Sequence, residues 1–142
     1  MIIHNEDGTR DIMLTKAGKI EDCDDYVGNY TNVLEVYFSI IINKSDLYKA
    51  VDKFERIYGK VDWIDFDNKY QDMVISNESG IMQIPCKNIP CMFELDPYTL
   101  DDFKNRNDKY LSLVLDSITA PYWIISSHDE VYSDDILIEI EI

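Results

Sequence analysis

From Val33 to Ile42 the chain alternates. The even positions Leu34, Val36, Phe38, Ile40 and Ile42 are all apolar, while Val33, Glu35, Tyr37, Ser39 and Ile41 are mixed. A period of two predicts a half-buried strand, central in its sheet. The spacing then changes. Leu47, Ala50, Val51, Phe54, Ile57 and Tyr58 recur at helical intervals, with Lys49, Lys53, Arg56 and Lys60 on or near the opposite side. Ser45 as N-cap and Gly59 as stop predict a helix over 45–58 whose apolar stripe faces the sheet.

Before this pair of elements, Ile2-Ile3-His4 and Arg10 to Leu14 flank Asn5-Glu6-Asp7-Gly8, and the Asp7-Gly8 pair predicts a hairpin turn. Residues 15–29 read as a loop. Residues 61–95 read as a meander: strands at Val61–Phe66 and Gln71–Ser76, a turn over Asn77–Gly80, then strands at Ile81–Ile84 and Cys91–Leu95. Pro85 and Pro90 bracket a loop between the last two.

Asp96-Pro97 starts a second helix by Asp capping with proline in the first turn. Residues 110–118 carry two patterns at once. Leu111, Leu113 and Leu115 alternate as in a strand, whereas Phe103, Asn107, Tyr110, Val114 and Ile118 continue a helical stripe. Continuity and the weak β-propensity of Leu favour helix here. Tyr122–Ser126 and Ile136–Ile142 complete the strands, the last burying Ile136, Ile138, Ile140 and Ile142. The expectation is a single α+β domain over 1–142: a largely antiparallel sheet with two or so helices packed on one face.

Charge changes the picture. Among 142 residues there are 28 acids and 13 bases, a net charge of −15, with Asp outnumbering Glu nineteen to nine. A small soluble domain usually carries a charge of magnitude ~2–8. Twenty Ile against three Ala suggests an AT-rich gene, but such genes also favour Lys, and only ten are present. Compositional drift therefore does not explain the acidity. It is also unevenly placed: −5 over 1–43, +2 over 44–60 and −12 over 61–142, with nothing basic after Lys109. Such a field repels nucleic acid and anionic membranes and steers basic proteins inward.

Chemistry is sparse. There is no Walker loop, dinucleotide fingerprint, nucleophile elbow or H-E-x-x-H motif, and five scattered Gly make a phosphate cradle hard to build. Cys23, Cys86 and Cys91 have no zinc spacing and no secretory context, so they read as structural thiols, and neither cofactor nor metal is expected. The two His, His4 and His128, suggest no base constellation. No apolar run nears the ~18 residues of a membrane span, and the N-terminus does not resemble a signal peptide, so a cytoplasmic protein is expected.

Acids interleaved with aromatics remain, and these suit a surface that binds Arg and Lys by pairing and stacking. The candidate partner-binding residues are Asp129, Glu130, Tyr132, Asp134 and Asp135 in the C-terminal loop, Asp62, Asp65 and Asp67 beside Trp63, and Asp22, Asp24, Asp25 and Tyr26. The expected function is that of a small acidic binding protein, an immunity protein (antitoxin) neutralising a basic toxin such as a nuclease. A phage-type nucleic-acid mimic that inhibits a host nuclease rests on the same charge. A metal-dependent hydrolase would use Asp62, Asp65 and Asp67.

Overall fold

A computed structural model describes residues 2–12, 20–21, 39–115 and 123–142. Its elements run β1 (Ile2–His4), β2 (Arg10–Ile12), β3 (Ile20–Glu21), β4 (Ser39–Asn43), α1 (Lys44–Tyr58), β5 (Trp63–Asp67), β6 (Asp72–Asn77), β7 (Gly80–Lys87), β8 (Met92–Leu95), α2 (Pro97–Phe103), β9 (Tyr110–Leu115), β10 (Trp123–His128) and β11 (Ile136–Ile140). Nine strands form one sheet in the order β10-β9-β4-β11-β7-β6-β5-β8-β3, and β1 pairs with β2 alone. Every neighbouring pair is antiparallel except β4 with β11. This is the α+β architecture read from the sequence. No helix among the described residues is long and apolar enough to cross a membrane.

Alternation assigns the two sheet faces. Ile64, Phe66, Met73, Ile75, Phe93 and Leu95 join Leu47, Val51 and Phe54 of α1 and Leu100 and Phe103 of α2 in one core. Phe66 and Phe93, cross-strand partners, stack at 4.6 Å near its centre. On the other face Val74 and Met92 pack against Ile2 of the β1–β2 hairpin. Burial on both faces explains why Ile40, Ile41 and Ile42 are all inaccessible, where the sequence suggested a half-buried strand.

Several boundaries differ from expectation for local reasons. The N-cap of α1 is Asn43, not Ser45: its side chain accepts the Asp46 N–H at 3.0 Å. Ile57 lies off the inner face and is exposed, as is Ile142 beyond the end of β11. Strand β7 continues through Pro85. The Pro85 carbonyl accepts from Glu141, on the side where a missing N–H is least costly, because the β11 ladder ends at Ile140.

The largest correction concerns 110–118. Tyr110–Leu115 is a strand between β4 and β10, with Leu111 and Leu113 buried in the main core. The polar run Asn105-Arg106-Asn107-Asp108 separates it from α2, so the helical stripe never becomes continuous. Cys91 is disulfide-bonded, which corrects the reading of it as a thiol. Cys86 is free, and burial pushes its thiol up to about 12, leaving it un-ionised at neutral pH. The first part of the predicted strand at 33–42, up to residue 38, and most of the predicted loop at 15–29 lie outside the described residues.

Candidate functional site

Residues at the start of β5 and the end of β8 come together because these strands are antiparallel neighbours. Val61, Asp62 and Trp63 lead into β5 at the same end of the sheet where Leu95, Asp96 and Pro97 leave β8. Helices α1 and α2 close over this end, tied by Tyr48, whose hydroxyl donates to the Leu100 carbonyl at 2.5 Å. Between them lies a cavity of about 510 Å³.

Its lining has a consistent chemistry. The carboxylates facing it are Asp52 and Glu55 from α1, Asp62 ahead of β5, Asp96 after β8 and Asp101 from α2. Against these five carboxylates stand two lysines, Lys60 and Lys104. Tyr48 and Tyr98 supply aromatic wall. Asp65 and Glu94, directly opposite across the β5–β8 pair and both buried, turn to the other sheet face with Val74 and Met92, away from the helices. Some acids also have local duties. Asp96 caps α2 by accepting the Tyr98 N–H at 2.9 Å, Glu55 accepts the Val61 N–H at 3.2 Å, and Asp52 pairs with Arg56. Lys60 holds its ammonium 5.4 Å from the centre of the Tyr98 ring, whose residue is 61% exposed.

The sequence-derived candidates separate into three places. Asp62 lines the cavity, whereas Trp63 and Asp65 alternate onto the opposite face of β5. Asp67, two residues along the same strand face as Asp65, is fully buried and held internally. His4 Nε2 lies 3.0 Å from both its oxygens, and Arg10 donates to it at 2.5 Å while pairing with Asp72 through both of its terminal nitrogens. Burial works to raise the Asp67 pKa, but hydrogen bonds from His4, Arg10 and the Tyr70 N–H outweigh it and hold the carboxyl below its ordinary value. The three aspartates thus form no shared constellation. Among the described residues, no group of three or more His, Cys, Asp or Glu is placed to hold a metal ion.

The C-terminal candidates form an ordered, projecting loop. Asp129 accepts the Lys109 N–H at 3.2 Å, and Asp135 accepts the Tyr132 N–H at 2.7 Å together with the Ser39 hydroxyl. Tyr132 is 64% exposed and donates to Glu130 at 2.7 Å, and that bond, with the neighbouring charge, raises its phenol pKa. Asp129, Glu130 and Asp134 are exposed and Asp135 is half-buried. Strands β7 and β6 stand between β11 and β5, and none of these loop residues lines the cavity. Asp22, Asp24, Asp25 and Tyr26 lie outside the described residues.

Sequence reasoning missed the α1, β8 and α2 share of the cavity. Asp52, Glu55, Asp96 and Asp101 are far apart in the chain, and only the packing of α1 and α2 over the β5–β8 end brings them together. The chain was compared with protein-family models, curated proteins and solved structures, and none of them matches it.

Proposed function

We propose that this protein is an acidic binding protein that captures a basic protein, acting as an immunity protein toward a toxin such as a nuclease. One observation carries the reading: a protein of net charge −15 gathers five carboxylates and two tyrosines around one cavity. A second acidic feature, the loop bearing exposed Tyr132, adds a rim of carboxylates around an aromatic anchor. A nuclease keeps a positive cleft for phosphate, and an acidic protein that occupies or flanks that cleft blocks it. Opposite fields also speed encounter, which suits an inhibitor that must act before its target does. The hydrolase alternative has less support, because Asp67 is already paired with Arg10 and hydrogen-bonded to His4.

The test is capture from a lysate of the source cells, with wild type compared against a variant carrying Asp129→Asn, Glu130→Gln, Asp134→Asn and Asp135→Asn. The reading predicts one retained basic protein, released as salt rises, less well held by the variant, and inhibited by the wild-type protein in its own activity. Retention of proteins no more basic than the lysate as a whole, or of a basic protein whose activity is unaffected, would contradict it.

A further inference from the structure

We propose that β10, one edge of the nine-stranded sheet, pairs with β10 of a second copy of this chain, joining two sheets edge to edge. The two ends of the sheet differ. Among the described residues β10 has one neighbour, β9, and β3 has one neighbour, β8. Strand β3 is two residues long and carries Glu21, and shortness and charge are how natural proteins blunt an edge. Strand β10 is six residues long and follows β9 residue for residue, from Trp123 opposite Leu115 to His128 opposite Tyr110, so no bulge turns it aside. Its sequence, Trp-Ile-Ile-Ser-Ser-His, holds no Lys, Asp, Glu, Pro or Gly. Such a strand presents a row of backbone N–H and C=O groups on its outer side, which another extended strand satisfies.

Packing gives a second support. Ile125 lies opposite the buried Leu113 and packs against the main core, yet it is only half-buried. A strand alongside β10 would cover it. Charge then selects the occupant. Between Lys109 and Asp129 the one acidic or basic residue is Asp116, so β10 belongs to a near-neutral stretch of a protein of net charge −15. A basic partner finds no acid on this strand, whereas two copies can meet here without opposing like charges. A two-fold axis normal to the sheet makes the pairing antiparallel, keeps each sheet face continuous and centres the joint on Ile125 or Ser126. The acidic loops that follow His128 then leave at opposite ends of the joint. They start roughly 20 Å apart along the strands, well beyond the screening length of ~8 Å at physiological salt.

The experiment is sedimentation of the intact protein from ~10 μM to ~1 mM, joined to amide hydrogen exchange read residue by residue over 123–128. The expected result is a monomer–dimer equilibrium that strengthens as salt rises, because screening weakens the repulsion between two chains of net charge −15. In a lone edge strand every second amide points outward and exchanges freely; in the dimer consecutive β10 amides are all protected. Ser126→Lys sets two like charges at the joint and should weaken the dimer about tenfold. Ser126→Thr, uncharged and strand-favouring, should leave it unchanged. Ser126 is half-buried and its hydroxyl meets His128 at 2.9 Å, so an unchanged melt is expected to show that both variants keep the fold. The exchange pattern of the wild type needs neither variant.

A monomer at every concentration would overturn the proposal, and so would a dimer that Ser126→Lys leaves intact. Full protection of β10 in a protein that sediments as a monomer would also overturn it, by placing another part of the same chain on this edge. The outcome is separable from the binding reading, because salt acts with opposite sign: it strengthens the pairing of two acidic copies and weakens capture of a basic protein.

Discussion

Arg10 and Asp67, 57 residues apart in the chain, meet at 2.5 Å on the sheet face opposite the helices. Arg10 also stacks on Tyr70 at 4.5 Å and grips Asp72, and the Tyr70 hydroxyl donates to the Gly8 carbonyl. The β1–β2 hairpin has only three residues in each strand, too few to be stable alone. This clasp, with Ile2 packed on Val74 and Met92, is what docks it. Asp67→Asn leaves Arg10 short of a buried partner and should cost about 3 kcal/mol in denaturant unfolding. A loss below about 1 kcal/mol would mean that the hairpin docks through its apolar contacts alone.

The same pair sets a pH response. Asp67 titrates below its ordinary value of 3.8 in the folded protein, so the native state binds the proton less readily than the unfolded chain. Its contribution to stability is complete above that value and disappears as pH falls through the lower folded one. Wild type and Asp67→Asn should therefore converge in stability under acid, and a difference that stays constant down to pH ~2 would refute the assignment.

The α1 face is tested by Phe54→Ala. Phe54 is wholly inaccessible and lies 5.1 Å from Tyr58, ring to ring, so truncation should cost about 3–5 kcal/mol. A melt shifted by less than the equivalent of about 1 kcal/mol would show the helix to be packed through other residues.

Gly80 is needed for a close approach. A Cβ there would stand 2.2 Å from the Tyr58 ring, so Gly80→Ala must move that ring or open the β6–β7 turn. We expect a loss of about 1–3 kcal/mol. Pairing it with Tyr58→Ala should relieve much of the steric part, and simple additivity in the double-mutant cycle would show that the clash is not the cause.

The two helices, the hairpin at Gly8 and the 61–95 meander were legible in the sequence, because caps, turns and period-two alternation are local signals. Residues 110–115 were not. A strand buried on both sides and rich in Leu resembles a helix stripe until its neighbours β4 and β10 are known. The acidic C-terminal loop was legible because its residues are contiguous. Only Asp62 of the cavity's acids was legible. The rest depends on which strand pairs with β5, a long-range choice that composition does not encode. Asp67 shows the converse: its place beside Asp65 invited a surface role, but its true partners, His4 and Arg10, come from the far end of the chain.

The most direct test of the central claim is the association rate with the captured basic partner across a salt series, for wild type and for the Asp129→Asn/Glu130→Gln/Asp134→Asn/Asp135→Asn variant. Steered association predicts a wild-type rate that falls steeply as salt rises, with the variant slower at low salt and converging on wild type at high salt. A wild-type rate independent of salt would contradict the account.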